Sequence, residues 1–141
     1  MTYDPQNIFA KILRGEIPCE KVYEDESCLA LMDVMPRVDG HVLVISKSPA
    51  RNILDIEPEA LSALILRVQK IAQAVKKAFG ADGITLHQFN EPAGGQSVFH
   101  IHFHVMPRHE GVSLRPHAGK MADFGLLKAQ ADKIRAVLRE N

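Results

Sequence analysis

Hydrophobic positions switch between helical and strand spacing along the chain, and the switches mark out its elements. Asp4-Pro5 opens a first helix, in which Ile8, Phe9, Ile12 and Leu13 recur at helical spacing and Gly15 is the stop. Two short β-like runs, residues 21–24 and 28–33, flank an acidic turn. Met35-Pro36 breaks that pattern, and HVLVIS at 41–46 is a strongly apolar strand after Asp39-Gly40. Pro58 starts a long amphipathic helix whose apolar face is Leu61, Leu64, Ile65, Val68, Ala72, Val75 and Phe79, closed by Gly80. Residues 83–89 form a strand, and NEPAGG at 90–95 is turn chemistry. A second apolar strand, 98–106, is ended by Pro107. A last helix spans 123–139 with Phe124, Leu127, Ala131, Ile134 and Leu138 on one side.

The order is helix, three strands, helix, two strands, helix. Strands do not alternate regularly with crossover helices, so the fold class is α+β. A mainly antiparallel five-stranded sheet carries the long helix, with short N- and C-terminal helices. No repeat or linker divides the chain, and residues 1–141 read as one domain.

Composition narrows the function classes. At 141 residues and 46% hydrophobic, the chain buries a real core and is not disordered. Lys+Arg and Asp+Glu are both 17, with no basic block, so no nucleic-acid partner is expected. No apolar run approaches the ~18–20 residues of a membrane span, and no signal peptide is visible. With the turn at Asp25-Glu26, Cys19 falls opposite Met32 rather than Cys28; no disulfide is expected, and a cytoplasmic location is the default.

The stretch GGQSVFHIHFHVMPRH, 94–109, carries the chemistry. Side chains alternate across a strand, so His100, His102 and His104 share one face while Ile101, Phe103 and Val105 enter the core. Three such positions span roughly 13 Å at ~3.3 Å per residue, too far for one metal ion to bind all three. A metal would use two, and no Asp or Glu lies between Gly94 and Arg108 to orient them. The other chemistry is nucleophilic: a neutral imidazole attacks phosphorus through one nitrogen while the other donates to a fixed acceptor. The small residues Gly94 and Gly95, with Gln96 and Ser97, let backbone approach an anion. Both chemistries stand on the residues alone.

The signature His100-Ile-His102-Phe-His104-Val105-Met106 resembles that of the histidine triad family. The likeness runs from about Asn7 to Arg108. IFAKILRGEIP resembles the family's opening helix, and ALMDVMPRVDGHVLVISK its next block. Within the family the chain is most similar to the Hint branch of nucleoside phosphoramidases, and HVMPRH also resembles the Fhit-like dinucleoside polyphosphate hydrolases.

The resemblance implies that His102 is the nucleophile and is transiently nucleotidylated. His100 and His104 flank it, His41 supports the row from the neighbouring strand, and Ser97 serves the phosphate and leaving group. Asn90, Gly95 and Gln96 would bind the nucleotide, Asp33 would hold the ribose hydroxyls, and Ile8, Phe9, Ile12, Ile17 and Leu31 would line the base slot. The implied partner is a purine nucleotide, with a homodimer as the assembly and no cofactor. Ile71 and Ala74, off the main stripe of the long helix, are compatible with a dimer interface. A non-catalytic nucleotide-binding or scaffold module would need the same pocket. His87, His109 and His117 match nothing functional. Some bacterial relatives carry a structural zinc on C-x-x-C in the opening helix and a later histidine. Asn7, Ala10 and Pro49 stand there in this chain, so no metal is expected. The tail after Pro107 departs from the Hint pattern.

Overall fold

The computed structural model describes residues 2–116 and 119–140, so His117 lies outside the described residues. Among these, five strands form one antiparallel sheet in the order β1-β2-β3-β5-β4. They are β1 (Lys21–Glu24), β2 (Cys28–Met32), β3 (Val42–Ser46), β4 (Gly83–His87) and β5 (His102–Arg108). The α-helices are α1 (Ile8–Leu13), α2 (Pro58–Ala78) and α3 (Phe124–Arg139). This is the α+β architecture expected from the sequence.

Alternation along the strands builds two apolar layers. β2 and β3 pair from Cys28↔Ser46 to Met32↔Val42, so Cys28, Ala30, Met32, Val42 and Val44 face one side. These residues, with Ile101, Phe103 and Val105, pack against Leu64, Val68, Ile71 and Val75 of α2 and against Leu127, Ala131 and Ile134 of α3. Each fully buried aliphatic side chain in this layer contributes about 1.5–3 kcal/mol. Leu29, Leu31, Leu43 and Ile45 face the other side, where Phe9 and Ile12 of α1 cover them. His102 pairs with Ile45 and His104 with Leu43, so both histidines share the α1 side.

Several boundaries differ from the sequence expectation, each for a local reason. α1 starts at Ile8, because the Asn7 side chain accepts the Ala10 N–H and caps it there. β5 starts at His102 rather than 98, since residues 98–100 are bends, and it continues through Pro107 to Arg108. Pro107 is tolerated because β3 pairs only as far as Val105, leaving the proline without a ladder neighbour on that side. A register shift between Lys21 and Tyr23 places Glu20 against Met32, so Cys19 lies one position further on; both cysteines are free.

The helix faces also rotate. Ile71 and Ala74 are core residues, not interface residues, while Ile65 of the expected apolar stripe is 42% exposed. On α3, Gln130 is buried and its Oε1 accepts the Gly40 N–H at 3.1 Å, whereas Phe124 is 66% exposed. Among the described residues no helix is long and apolar enough to cross a membrane.

Gly40 precedes the buried His41 and has φ +87°, and a Cβ there would lie 2.7 Å from the Phe79 ring and 2.9 Å from Pro107. At Gly80, φ is +56° with open space around it. Gly80→Ala should therefore cost about 1–2 kcal/mol for the left-handed backbone. Gly40→Ala should cost about 1–3 kcal/mol more for overpacking. Urea unfolding checks this; equal losses would contradict it.

Candidate active site

β5 brings His102 and His104 side by side, with ring centroids 5.1 Å apart. Both line a cavity of about 670 Å³ between the sheet face, α1 and the start of α3. Phe9 stands edge-on to His102 at 4.8 Å, and Phe89 to His104 at 5.6 Å. Gly95 has φ +95°, and a Cβ there would lie 3.2 Å from Phe89, so a side chain at 95 would press on the aromatic that packs on His104.

The bend at 98–100 gives His102 its state. His102 Nδ1–H donates to the carbonyl of His100 at 2.6 Å. Its single proton is then on Nδ1, and Nε2 keeps the lone pair. Burial pushes the His102 pKa from 6.5 down to about 4, against the opposing pull of that carbonyl, so the ring is neutral near pH 7. His100 is also lowered by burial. Its Nε2–H donates to the Ser46 carbonyl at 2.7 Å, and its Nδ1 accepts the Tyr3 hydroxyl at 2.8 Å. Both nitrogens of His100 are therefore engaged inside the protein, and its ring is not part of the cavity wall.

A second chain of bonds assigns His104. The Arg37 N–H donates to His41 Nδ1 at 3.0 Å, so His41 carries its proton on Nε2. His41 Nε2 donates to His104 Nδ1 at 2.9 Å, leaving the His104 proton on Nε2. Asp33 Oδ2 is 3.5 Å from His41 Nε2, and Asp33 Oδ1 accepts the Met35 N–H. Asp33, His41 and His104 bring their ligand atoms within 4.8 Å of one another, close enough to be considered as a metal site. The donor set does not fit one. His41 Nε2 would have to surrender its proton to bind an ion, but Nδ1 already receives the Arg37 N–H and cannot take it.

Of the sequence-expected residues, Ile8, Phe9, Ile12, Ile17, Leu31, Asp33, His41, Ser97, His102 and His104 line the cavity. Asn90, Gly95 and Gln96 lie outside that lining. Asn90 Oδ1 accepts the Ile53 N–H. The Gln96 amide joins Asn52, the Glu91 N–H and the Arg51 and Val98 carbonyls. The N–H groups of Gly94, Gly95 and Gln96 close their own 3-10 turn instead of facing an anion. Residues without a sequence signal also belong here. Tyr3 reaches His100 from 97 residues away, and Met121 and Phe124 line the cavity mouth from beyond the polar loop. His87 sits directly opposite His104 on β4, a position the strand alternation could have revealed.

A family model described as HIT domain matches residues 14–111, most of the chain. The chain belongs to the HIT domain family. The adenylylsulfatase HINT3 of Arabidopsis thaliana is 39% identical over 120 residues, covering 81% of this chain; the chain spans 61% of that protein's length. A Hit-like protein involved in cell-cycle regulation from Bartonella henselae superposes with a TM-score of 0.93 at 52% identity, over 97% of this chain and 99% of that one. A hypothetical histidine triad nucleotide-binding protein, ST2152 from Sulfolobus tokodaii, gives 0.85 at 30% identity, over 94% of this chain and 91% of that one. Within the matched segment His102 and His104 line the cavity, and His100 is buried behind them.

Proton inventory of the triad is measurable. Histidine NMR titration should place His102 near 4 with its proton on Nδ1. Because the fold lowers this pKa, protonation favours the unfolded chain. The stability His102 contributes is present above pH 6.5 and is lost as pH falls through about 4. Titration of His102 near 6.5, or a proton on Nε2, would contradict the assignment.

Proposed function

We propose that this HIT-family chain is a hydrolase that cleaves nucleoside 5′-phosphoramidates and related nucleotidyl conjugates at the α-phosphorus, releasing a purine nucleoside monophosphate. The observation that carries the proposal is the neutral His102, whose Nδ1–H is held by the His100 carbonyl and whose Nε2 keeps its lone pair. Nε2 attacks phosphorus and forms an N–P bond. The bond from phosphorus to the leaving group breaks, and its electron pair departs with the leaving atom. That atom gains a proton on the side of the cavity lined by Ser97 and His104. Water then adds to phosphorus, its proton restores the one given to the leaving group, and the N–P bond electrons return to Nε2.

Positive charge builds on His102 in the covalent intermediate, and the His100 carbonyl at 2.6 Å faces it. The carbonyl that fixes the tautomer therefore also stabilises the charge. His100 acts by positioning: its ring, tied to Ser46 and Tyr3, holds its own backbone in place. His104, with its proton on Nε2, donates to a phosphate oxygen or the leaving group, and His41 keeps it in that tautomer. Asp33, with one oxygen on the Met35 N–H, meets the ribose hydroxyls. Ile8, Phe9, Ile12, Ile17 and Leu31 enclose the base. This chemistry has no metal step, and Asn7, Ala10 and Pro49 form no zinc ligand set. The similar protein HINT3 is named an adenylylsulfatase, and adenylyl sulfate is itself a nucleotidyl conjugate, which supports the reaction class.

The apolar residues exposed on α2 and β4, Ile65 (42%), Leu66 (60%) and Leu86 (45%), support a homodimer. Light scattering at the protein's working concentration tests that assembly.

His102→Ala should lower kcat on an adenosine 5′-phosphoramidate on the order of a thousandfold or more, as loss of a nucleophile does. Exhaustive chelation should leave wild-type turnover unchanged. A panel of amine, sulfate and nucleotide leaving groups, compared by kcat/KM, identifies the preferred conjugate. Equal turnover by His102→Ala and wild type would overturn the proposal, and a wild type that binds AMP without turnover would make the chain a binding module.

A further inference from the structure

Glu91 holds a backbone conformation that side chains seldom adopt. Its φ is +66° and its ψ 159°, an essentially glycine-only region. It lies at the start of the turn leading to Ser97 and Val98 in the cavity wall, and just after Phe89, which packs on His104. Strain of this kind persists only where the surroundings over-determine it.

The surroundings do so through Arg51. Its Nε donates to Glu91 Oε2 at 2.7 Å and its Nη2 to Glu91 Oε1 at 3.0 Å, a two-pronged pair. The fully buried Asn52 adds a bond from Nδ2 to Glu91 Oε2 at 2.6 Å. The guanidinium also lies over the Phe99 ring, 4.1 Å from its centroid, so it is fixed from two directions. Glu91's carbonyl in turn accepts the N–H groups of Gly94 and Gln96, which sets the turn. None of Arg51, Asn52 and Glu91 lines the cavity.

We infer that the Arg51–Glu91 pair is a positioning device that clamps the strained turn, so that Ser97 meets the substrate phosphate and Phe89 holds His104. The inference rests on the reaction proposed above. The clamp acts on the phosphate end of the site and not on the base slot, which α1 and β2 build separately.

The test separates those two ends. Arg51→Ala and Glu91→Ala should each lower kcat about ten- to a hundredfold, the loss expected from a small displacement of reacting groups. Both should weaken AMP while leaving adenosine affinity near wild type. Glu91→Gly removes the same carboxylate but accepts the backbone without strain, so it should stay several-fold closer to wild type than Glu91→Ala. Arg51→Lys, which keeps the charge but loses the fork, should fall in between and serves if Arg51→Ala does not fold. Unchanged kcat in these variants, equal loss in Glu91→Gly and Glu91→Ala, or parallel loss of adenosine affinity would overturn the clamp. A wild type without turnover fails the proposed reaction instead, and the AMP-against-adenosine comparison then still decides the clamp.

Discussion

One hydrogen bond, from His102 Nδ1 to the carbonyl of His100, governs the chemistry this fold can perform. In a regular antiparallel strand that carbonyl would point sideways into the sheet, at a neighbouring strand. Here the chain bends over 98–100 and β5 begins only at His102, so the carbonyl reaches the side chain two residues on. The bend is held open by the His100 ring, pinned between Ser46 and Tyr3. Burial of His102 keeps it neutral, and the bond decides which nitrogen is bare. The rest of the architecture supports that point: the α2/α3 layer fixes β5 from behind, and α1 covers the row in front.

The same bookkeeping of protons separates the two chemistries that the histidine row allowed. A metal needs bare nitrogens turned to one point. The structure instead spends them in two internal chains, Tyr3–His100–Ser46 and Arg37–His41–His104. What faces the cavity is the bare nitrogen of His102, with the His104 ring beside it at 5.1 Å between centroids. A nucleophile beside a second imidazole suits an acyl- or phosphoryl-type displacement far better than ion binding.

Much of the fold was legible because hydrophobic period and turn chemistry agree: the strand alternation of 28–32, 42–46 and 102–105 places each side chain on the face it occupies. The misreadings have physical causes. The run 98–101, apolar except for His100, looks like strand, yet Ile101 N–H goes to the Ala50 carbonyl instead of a β ladder. The β1–β2 turn is centred between Glu26 and Ser27 rather than Asp25 and Glu26, and the register shift beside Tyr23 offsets that only in part, so Cys19 lies one place beyond Met32. Gln96 and Asn90 carry polar groups suited to a ligand, and in the structure these groups bond to Arg51, Asn52 and Ile53, 37 to 45 residues away. Tyr3, Met121 and Phe124 reach the site only through tertiary folding, which local pattern does not encode.

If His102 is the nucleophile, its Nε2 makes a bond to phosphorus during turnover. Rapid quenching of wild-type protein with adenosine 5′-phosphoramidate, followed by intact and peptide mass spectrometry, detects that bond. A transient adenylyl adduct should appear on the peptide carrying His102 and be absent from His102→Ala. Steady turnover with no covalent species, or an adduct on another residue, would contradict it.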